Sequence, residues 1–196
     1  MIGSLRGRIL AKTPPQLTVE VAGVGYELEA PLSTFFHLPP VGAEVHLLTH
    51  LVVREDAHVL YGFGGEEERR LFRSLIKVSG VGPKIALALL SGMSVNEFHA
   101  CVQGQDIGSL THVPGIGRKT AERLIVEMRD RLAAPELTAG GMRAAGAVSP
   151  EAEAYDALVA LGYRPAEATR LLKGAGPGTQ STEELIRRAL KGAVRE

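Results

Sequence analysis

In QLTVEVA, residues 16–22, Leu17, Val19 and Val21 alternate with polar positions, the period of a strand with one buried face. GYELEA repeats the pattern with Tyr26, Leu28 and Ala30, after a glycine turn at Gly23 and Gly25. EVHLLTHLVV carries it through Val45, Leu47, Thr49, Leu51 and Val53, and HVLYGF follows a tight polar turn. With MIGSLRGRIL at the front, five strands fit into about 60 residues, a spacing that predicts a small antiparallel barrel. PLSTFFHLPP, between two of the strands, predicts a short helix or a loop.

From Glu66 the period lengthens. EEERRLFRSLIKV sets Leu71, Leu75, Ile76 and Val78 at helical spacing, with acidic residues in the first turn, where the helix dipole favours them. Ser94 and Glu97 stand at capping-box spacing, and helices are expected to run to about Leu132. APELTAGGMRAAGAVSP, residues 134–150, has ten Ala, Gly or Pro among its 17 positions and offers almost nothing to bury, so a flexible linker is expected. Ser149-Pro150-Glu151 then signals a helix start, and Gly162 a helix end. PAEATRLLK and STEELIRRAL, the latter with Ser181 and Glu184 at capping-box spacing, complete a three-helix bundle. The expected organisation is a multidomain α+β chain: barrel 1–64, helical domain 65–133, linker 134–150 and bundle 151–196.

Composition narrows the chemistry. Lys plus Arg equals Asp plus Glu at 22 each, but the balance is uneven. Residues 65–133 carry ten basic against eight acidic side chains, while residues 1–64 carry four against six. The lone Cys101 excludes an intramolecular disulfide and a cysteine zinc site, and the six histidines show no metal spacing. His46 and His50 share one strand face and are expected in a surface or core role. No signal-peptide pattern and no membrane-length apolar run is visible, so a cytoplasmic location is expected.

One stretch bears on function. HVPGIGRKTAERL, residues 112–124, is echoed by KVSGVGPKIALALL, residues 77–90. A shift of 35 puts Leu75 on Leu110, Val78 on Val113, Gly80 and Gly82 on Gly115 and Gly117, Val81 on Ile116, Lys84 on Lys119, and Ala86 on Ala121. Neither copy is a nucleotide loop. Ile85 and Thr120 stand where a dinucleotide fingerprint wants its third glycine, and GIGRKT lacks the P-loop spacing. What remains is helix, tight glycine hairpin, helix. Free N–H groups at the second helix's N-terminus would bind a phosphate, with Lys84 and Lys119 in its first turn to pair with the next one. No base-reading side chain is present, so binding would be sequence-independent and salt-sensitive. The bland alternative is a glycine-capped hairpin used for packing only.

A barrel, two helix-hairpin-helix units 35 residues apart, a linker and a small bundle together resemble the RuvA family along essentially the whole chain. MIGSLRG, GVGYE, THLVVREDAHVLYGF, SGVGPK, SGMS, PGIGRKTAERLIVEM and ALGY carry the resemblance. It implies an OB-type barrel, a tandem helix-hairpin-helix domain and a UBA-like bundle. It also implies a Holliday junction-binding protein that serves branch migration in recombination, DNA repair and the SOS response. Such proteins form homotetramers, two of which can sandwich a junction into an octamer. They work with RuvB, a hexameric ATPase that uses the ATP and Mg itself, and with the junction resolvase RuvC. The chain itself would hold no cofactor, no metal and no catalytic residue.

The positions expected on the DNA backbone are Gly80, Val81, Gly82, Lys84, Gly115, Ile116, Gly117, Arg118, Lys119 and Arg123. Arg54-Glu55-Asp56, read alone, is a solvated turn between strands. The resemblance instead makes Glu55 and Asp56 an acidic pin at the junction centre, beside Arg54. Leu158, Leu161, Tyr163, Leu171, Leu172 and Ile186 are the candidates for contact with RuvB. Two other readings remain. A glycosylase or nuclease could use the hairpins as a DNA anchor, but Asp130 is its only near candidate acid and no carboxylate cluster stands out for Mg. A structural adaptor without DNA leaves the repeated Gly-x-Gly and Lys unexplained.

Overall fold

The computed structural model describes residues 1–133, 149–174 and 181–193, which fall into two units divided between residues 141 and 142. Most of the expected linker, residues 134–148, lies outside the described residues.

The first unit begins with five strands: β1 (Ser4–Thr13), β2 (Gln16–Val21), β3 (Val24–Glu29), β4 (Glu44–Val53) and β5 (His58–Phe63). They close into a barrel in the order β1-β2-β3-β5-β4. Four of the pairings are antiparallel, but β3 meets β5 in parallel at Glu29 and Tyr61, so the barrel expected to be antiparallel closes with one parallel seam. The alternation places Leu5, Ile9, Leu17, Val19, Leu28, Leu47 and Leu60 inside. Leu10 faces solvent by the same alternation, and a register shift between Ile9 and Ala11 leaves Ala11 exposed beside it. Helix α1 (Leu32–Phe36) contributes Phe35 to the same core.

The expected alternation fails at the end of β4. Val53 is exposed, and Val52 is packed against the helical core instead. There β4 and β5 continue as a paired ribbon, with Val53 opposite His58. One face of that ribbon is taken by a neighbouring domain, which a single strand's pattern does not announce.

Helices α2 (Glu66–Leu75), α3 (Pro83–Gly92), α4 (Val95–Gln103), α5 (Ile107–Thr111) and α6 (Arg118–Ala133) form the second layer. Local chemistry sets their ends. Glu66, Glu67 and Glu68 occupy the first turn of α2. The Ser94–Glu97 capping box opens α4, and the Asp106 carboxylate caps α5 by accepting from the Ser109 N–H at 3.0 Å. Their core runs through Phe72, Leu75, Leu89, Leu90, Phe98, Leu110 and Leu124, and it includes Tyr61 and Phe63 of β5. The Phe72 ring lies 4.9 Å from Tyr61 and 5.0 Å from Phe63, so barrel wall and helices share one interior. Truncating a buried Phe of this kind costs about 3–5 kcal/mol.

A polar seam runs beside that contact. The Thr34 hydroxyl donates to Glu68 at 2.9 Å and accepts from the Gly64 N–H at 3.1 Å. Arg69 donates to the Gly3 carbonyl at 2.7 Å, and Arg73 donates to the His50 ring at 3.3 Å.

The second unit holds α7 (Pro150–Ala160), α8 (Pro165–Gly174) and α9 (Thr182–Ala193). Ser149 caps α7 with Pro150 at its first position. Gly162, at φ +99°, ends it, while the Tyr163 N–H donates back to the Leu158 carbonyl at 3.2 Å. The core is Leu158, Ala168 and Ala189, with Leu171, Leu172 and Leu190 packed around them. Among the described residues no single helix is long and apolar enough to cross a membrane.

Candidate nucleic-acid interface

The 35-residue repeat survives into the backbone. In the first copy the Val78 N–H donates to Leu75 at 2.9 Å, Val81 to Val78 at 3.0 Å and Ala86 to Gly82 at 3.0 Å. In the second, Val113 donates to Leu110 at 3.2 Å, Ile116 to Val113 at 3.1 Å and Ala121 to Gly117 at 3.0 Å. Gly80 and Gly115 take φ +88° and +89°, a region that L side chains rarely enter. The chain reverses there, and α3 and α6 start with their first N–H groups facing out.

The two glycines of each turn have different work. Gly80 and Gly115 are required by the backbone. Gly82 has φ −84°, and neither it nor Gly117 falls in the left-handed region; a Cβ at either would meet nothing within 4 Å. Nothing inside the chain demands glycine at these two positions. The space beside each of them is open.

Val81 and Ile116 depart from the expectation. Each is only 4% exposed, and each spends its N–H on the carbonyl three residues back. They anchor the turns in the core and have no free donor for a phosphate. The N–H groups with no partner among the described residues include those of Gly80, Gly82 and Lys84 in the first hairpin, where Pro83 has none, and those of Gly115, Gly117, Arg118 and Lys119 in the second. Lys84 and Lys119 are exposed. Arg118 pairs with Glu122 at 3.1 Å on the same exposed face. Arg123 donates to the Ser79 carbonyl at 3.1 Å, 44 residues away in the first turn.

The stretch Arg54-Glu55-Asp56-Ala57 links β4 and β5, exposed and closed by the Arg54 N–H on the Ala57 carbonyl at 2.9 Å. It stands at the tip of the ribbon that leaves the barrel. The seam at the ribbon's foot was not legible beforehand. Burial, then the charges of Arg73 and Arg69, hold the His50 imidazole below its ordinary pKa. Burial, then Arg69, does the same to the Arg73 guanidinium. His46, on the same strand, is exposed. Cys101 is buried in α4 and donates to the Asp106 carbonyl at 3.0 Å; burial, then Asp106, pushes its thiol up, away from a reactive thiolate.

In the bundle, Leu158, one of the contact candidates, is fully buried in the core. Tyr163, Leu171 and Leu172 are half-buried against that core, Ile186 is half-buried, and Leu161 is 63% exposed. Among the described residues no group of three His, Cys, Asp or Glu is placed to hold a metal. The side chain of Asp130 lies outside the described residues.

Residues 1–62 match the RuvA N terminal domain, 72–130 the SAM-like helix-hairpin-helix tandem, and 149–193 the RuvA C-terminal domain. The chain is 58% identical over 201 residues to the Holliday junction branch migration complex subunit RuvA of Thioalkalivibrio sulfidiphilus, with all of both chains covered. The chain belongs to the RuvA family. It is similarly related to the proteins of that name from Methylococcus capsulatus, at 56% over the whole of both, and Nitrosococcus oceani, at 58% over 97% of this chain. The RuvA domains on either side place the helix-hairpin-helix tandem between a barrel and a bundle, the order in which this chain folds.

Proposed function

We propose that this chain is the junction-binding, non-catalytic subunit of a branch-migration complex. It holds a four-way DNA junction open by sequence-independent contacts and brings a RuvB-type ATPase to it. The observation that carries this is the paired hairpin, repeated down to its hydrogen bonds and its two left-handed glycines, in a chain of the RuvA family.

Each hairpin directs helix N-terminal N–H groups and one exposed lysine at a strand's phosphates, and a glycine with no internal role leaves room for that approach. Gly82, Lys84, Gly117, Arg118 and Lys119 are the backbone contacts, while Gly80, Val81, Gly115 and Ile116 shape the turns. Four copies in a homotetramer would give every arm of a junction two hairpins, and a second tetramer would close an octamer. Glu55 and Asp56 would then gather around the four-fold axis and repel phosphates there, with Arg54 beside them.

The bundle is the unit that meets RuvB. Leu161 leads its contact surface, ahead of Tyr163, Leu171, Leu172 and Ile186, and residues 134–150 tether it. ATP and Mg belong to the motor, and the resolvase RuvC acts on the same junction. The work is done in the cytoplasm, where the chromosome is. The test is the mass of the purified chain with and without a four-way junction, together with a cleavage assay on junction, duplex and abasic DNA. Tetramer-multiple masses, junction binding in preference to duplex and intact DNA are expected. Strand cleavage by the chain alone would favour the anchored-enzyme reading.

A further inference from the structure

The two hairpins are repeats, but their seating is unequal. A Cβ on Gly115 would lie 3.4 Å from Ile85 Cγ1, so the second turn rests directly on the first turn of α3. The 35-residue register makes the reciprocal contact Gly80 against Thr120. There a Cβ on Gly80 would meet nothing within 4 Å. On this side the first turn lacks the contact that the second turn makes, although Val81 seats it in the core as Ile116 seats the other.

Arg123 reaches this turn instead. Its register counterpart is Ala88, a small residue packed against the helical core. From α6 the Arg123 guanidinium reaches back and donates from Nη1 to the Ser79 carbonyl, the peptide unit that precedes Gly80. Among the described residues no hydrogen bond matches it at Pro114, the second turn's counterpart of Ser79. The guanidinium is a planar fork with five donors, so committing Nη1 to a carbonyl also fixes the direction of the others.

We propose that Arg123 is a positioning residue: it ties the first hairpin's turn to the second hairpin's helix and so sets the spacing at which two phosphates are met together. This rests on the hairpins being the DNA contact, and it replaces the reading of Arg123 as one more phosphate ligand. When two contacts are held at the right spacing, the second forms as an intramolecular event at high effective concentration. Freeing the first turn lowers that concentration, so the loss falls on Lys84 and spares Lys119.

A double-mutant cycle on the full chain, with a four-way junction as probe, separates the two roles. The tie predicts that Lys84→Ala weakens binding about tenfold in the parent and threefold or less beside Arg123→Ala. Lys119→Ala should cost the same factor in both backgrounds. A phosphate ligand would instead give additive losses with both lysines, and such additivity overturns the proposal. Lys84→Ala and Lys119→Ala both binding like the parent would overturn the hairpin reading itself, a different failure. A second readout needs no DNA. Arg123→Ala should shift the amide resonances of Gly80 and Gly82 in the free protein, with Arg123→Lys giving partial recovery. Unmoved resonances would show that the tie does not hold the turn.

Discussion

The two glycines of each turn make opposite demands, and alanine substitution separates them. Gly80 and Gly115 sit at φ +88° and +89°. Placing a Cβ in left-handed backbone costs about 1–2 kcal/mol. Gly115→Ala adds a contact at 3.4 Å with Ile85, so it should cost more than Gly80→Ala, whose Cβ meets nothing. Gly82→Ala is a different case. Its φ is already −84°, and the new methyl has open space. Alanine is a poorer N-cap than glycine by several tenths of a kcal/mol, while restricting the unfolded chain returns about 0.4–1 kcal/mol. The net effect on stability is near zero.

Binding should divide the other way. The methyl of Gly82→Ala, at the N-cap, would stand beside the N–H groups of the α3 N-terminus. A hydrogen bond to a charged group is worth about 1.5–3 kcal/mol, so blocking one costs roughly ten- to a hundredfold in affinity. Gly117→Ala should behave alike on α6. The assay is urea-dependent amide exchange at the buried Leu89 and Leu124, which reports opening of the helical domain, alongside junction affinity at one salt concentration. The reasoning fails if Gly82→Ala destabilises as much as Gly80→Ala, or if it binds the junction like the parent.

The acidic ribbon tip should govern selectivity: Glu55→Gln with Asp56→Asn is expected to tighten plain-duplex binding several-fold and lower the junction-to-duplex ratio, and an unmoved ratio would leave an ordinary solvated turn. The barrel–helix seam should be pH-sensitive, because the folded state holds His50 below its ordinary value of about 6.5. As pH falls through that value the unfolded chain takes up a proton that the folded chain refuses, so stability drops and then levels off below the folded pKa. His50→Gln should remove that component, seen as a shallower fall in melting temperature between pH 7.5 and 5.5 (roughly the span over which an unfolded His titrates); parallel curves would exclude His50. Leu161→Asp should leave junction affinity within about twofold, since the side chain is 63% exposed and away from the bundle core, yet reduce stimulation of a RuvB-type ATPase; undiminished stimulation would remove Leu161 from that surface.

The hairpins were legible because the same physical demand was written twice. A single Gly-x-Gly could be any cap, but two in register with Leu75 on Leu110 and Ala86 on Ala121 specify one turn. All four of those side chains are fully buried. The register could not reveal that Val81 and Ile116 spend their donors internally, because a buried turn residue and a ligand can be the same amino acid. The burial of Leu158 escaped for a related reason: apolar residues on short helices announce that something is buried, not which of them. The barrel–helix seam had no signal at all. Thr34 with Glu68 and His50 with Arg73 are 34 and 23 residues apart, on elements whose own periods are already satisfied. The exposed Val53 shows the same limit, since alternation records a sheet face without saying what covers it.

The chain's charge balance also has a structural resolution. Equal numbers of acidic and basic residues would seem to disfavour a polyanion, but most arginines of the helical layer are already committed. Arg69 and Arg70 pair with Glu66, Arg118 with Glu122 and Arg131 with Glu127, while Arg73 and Arg123 bond to other groups of the fold. Lys84 and Lys119 stay exposed, each beside a helix N-terminus whose N–H groups carry partial positive charge without adding to the net count. On the proposed reading, a phosphate at a hairpin would meet fixed dipoles and a mobile cation, whereas a phosphate at the ribbon tip would meet two carboxylates beside one arginine. Discrimination would then follow from where the charges stand. It would survive a net charge of zero, and adding basic residues elsewhere on the surface would raise affinity for every DNA shape alike while diluting the preference for the junction.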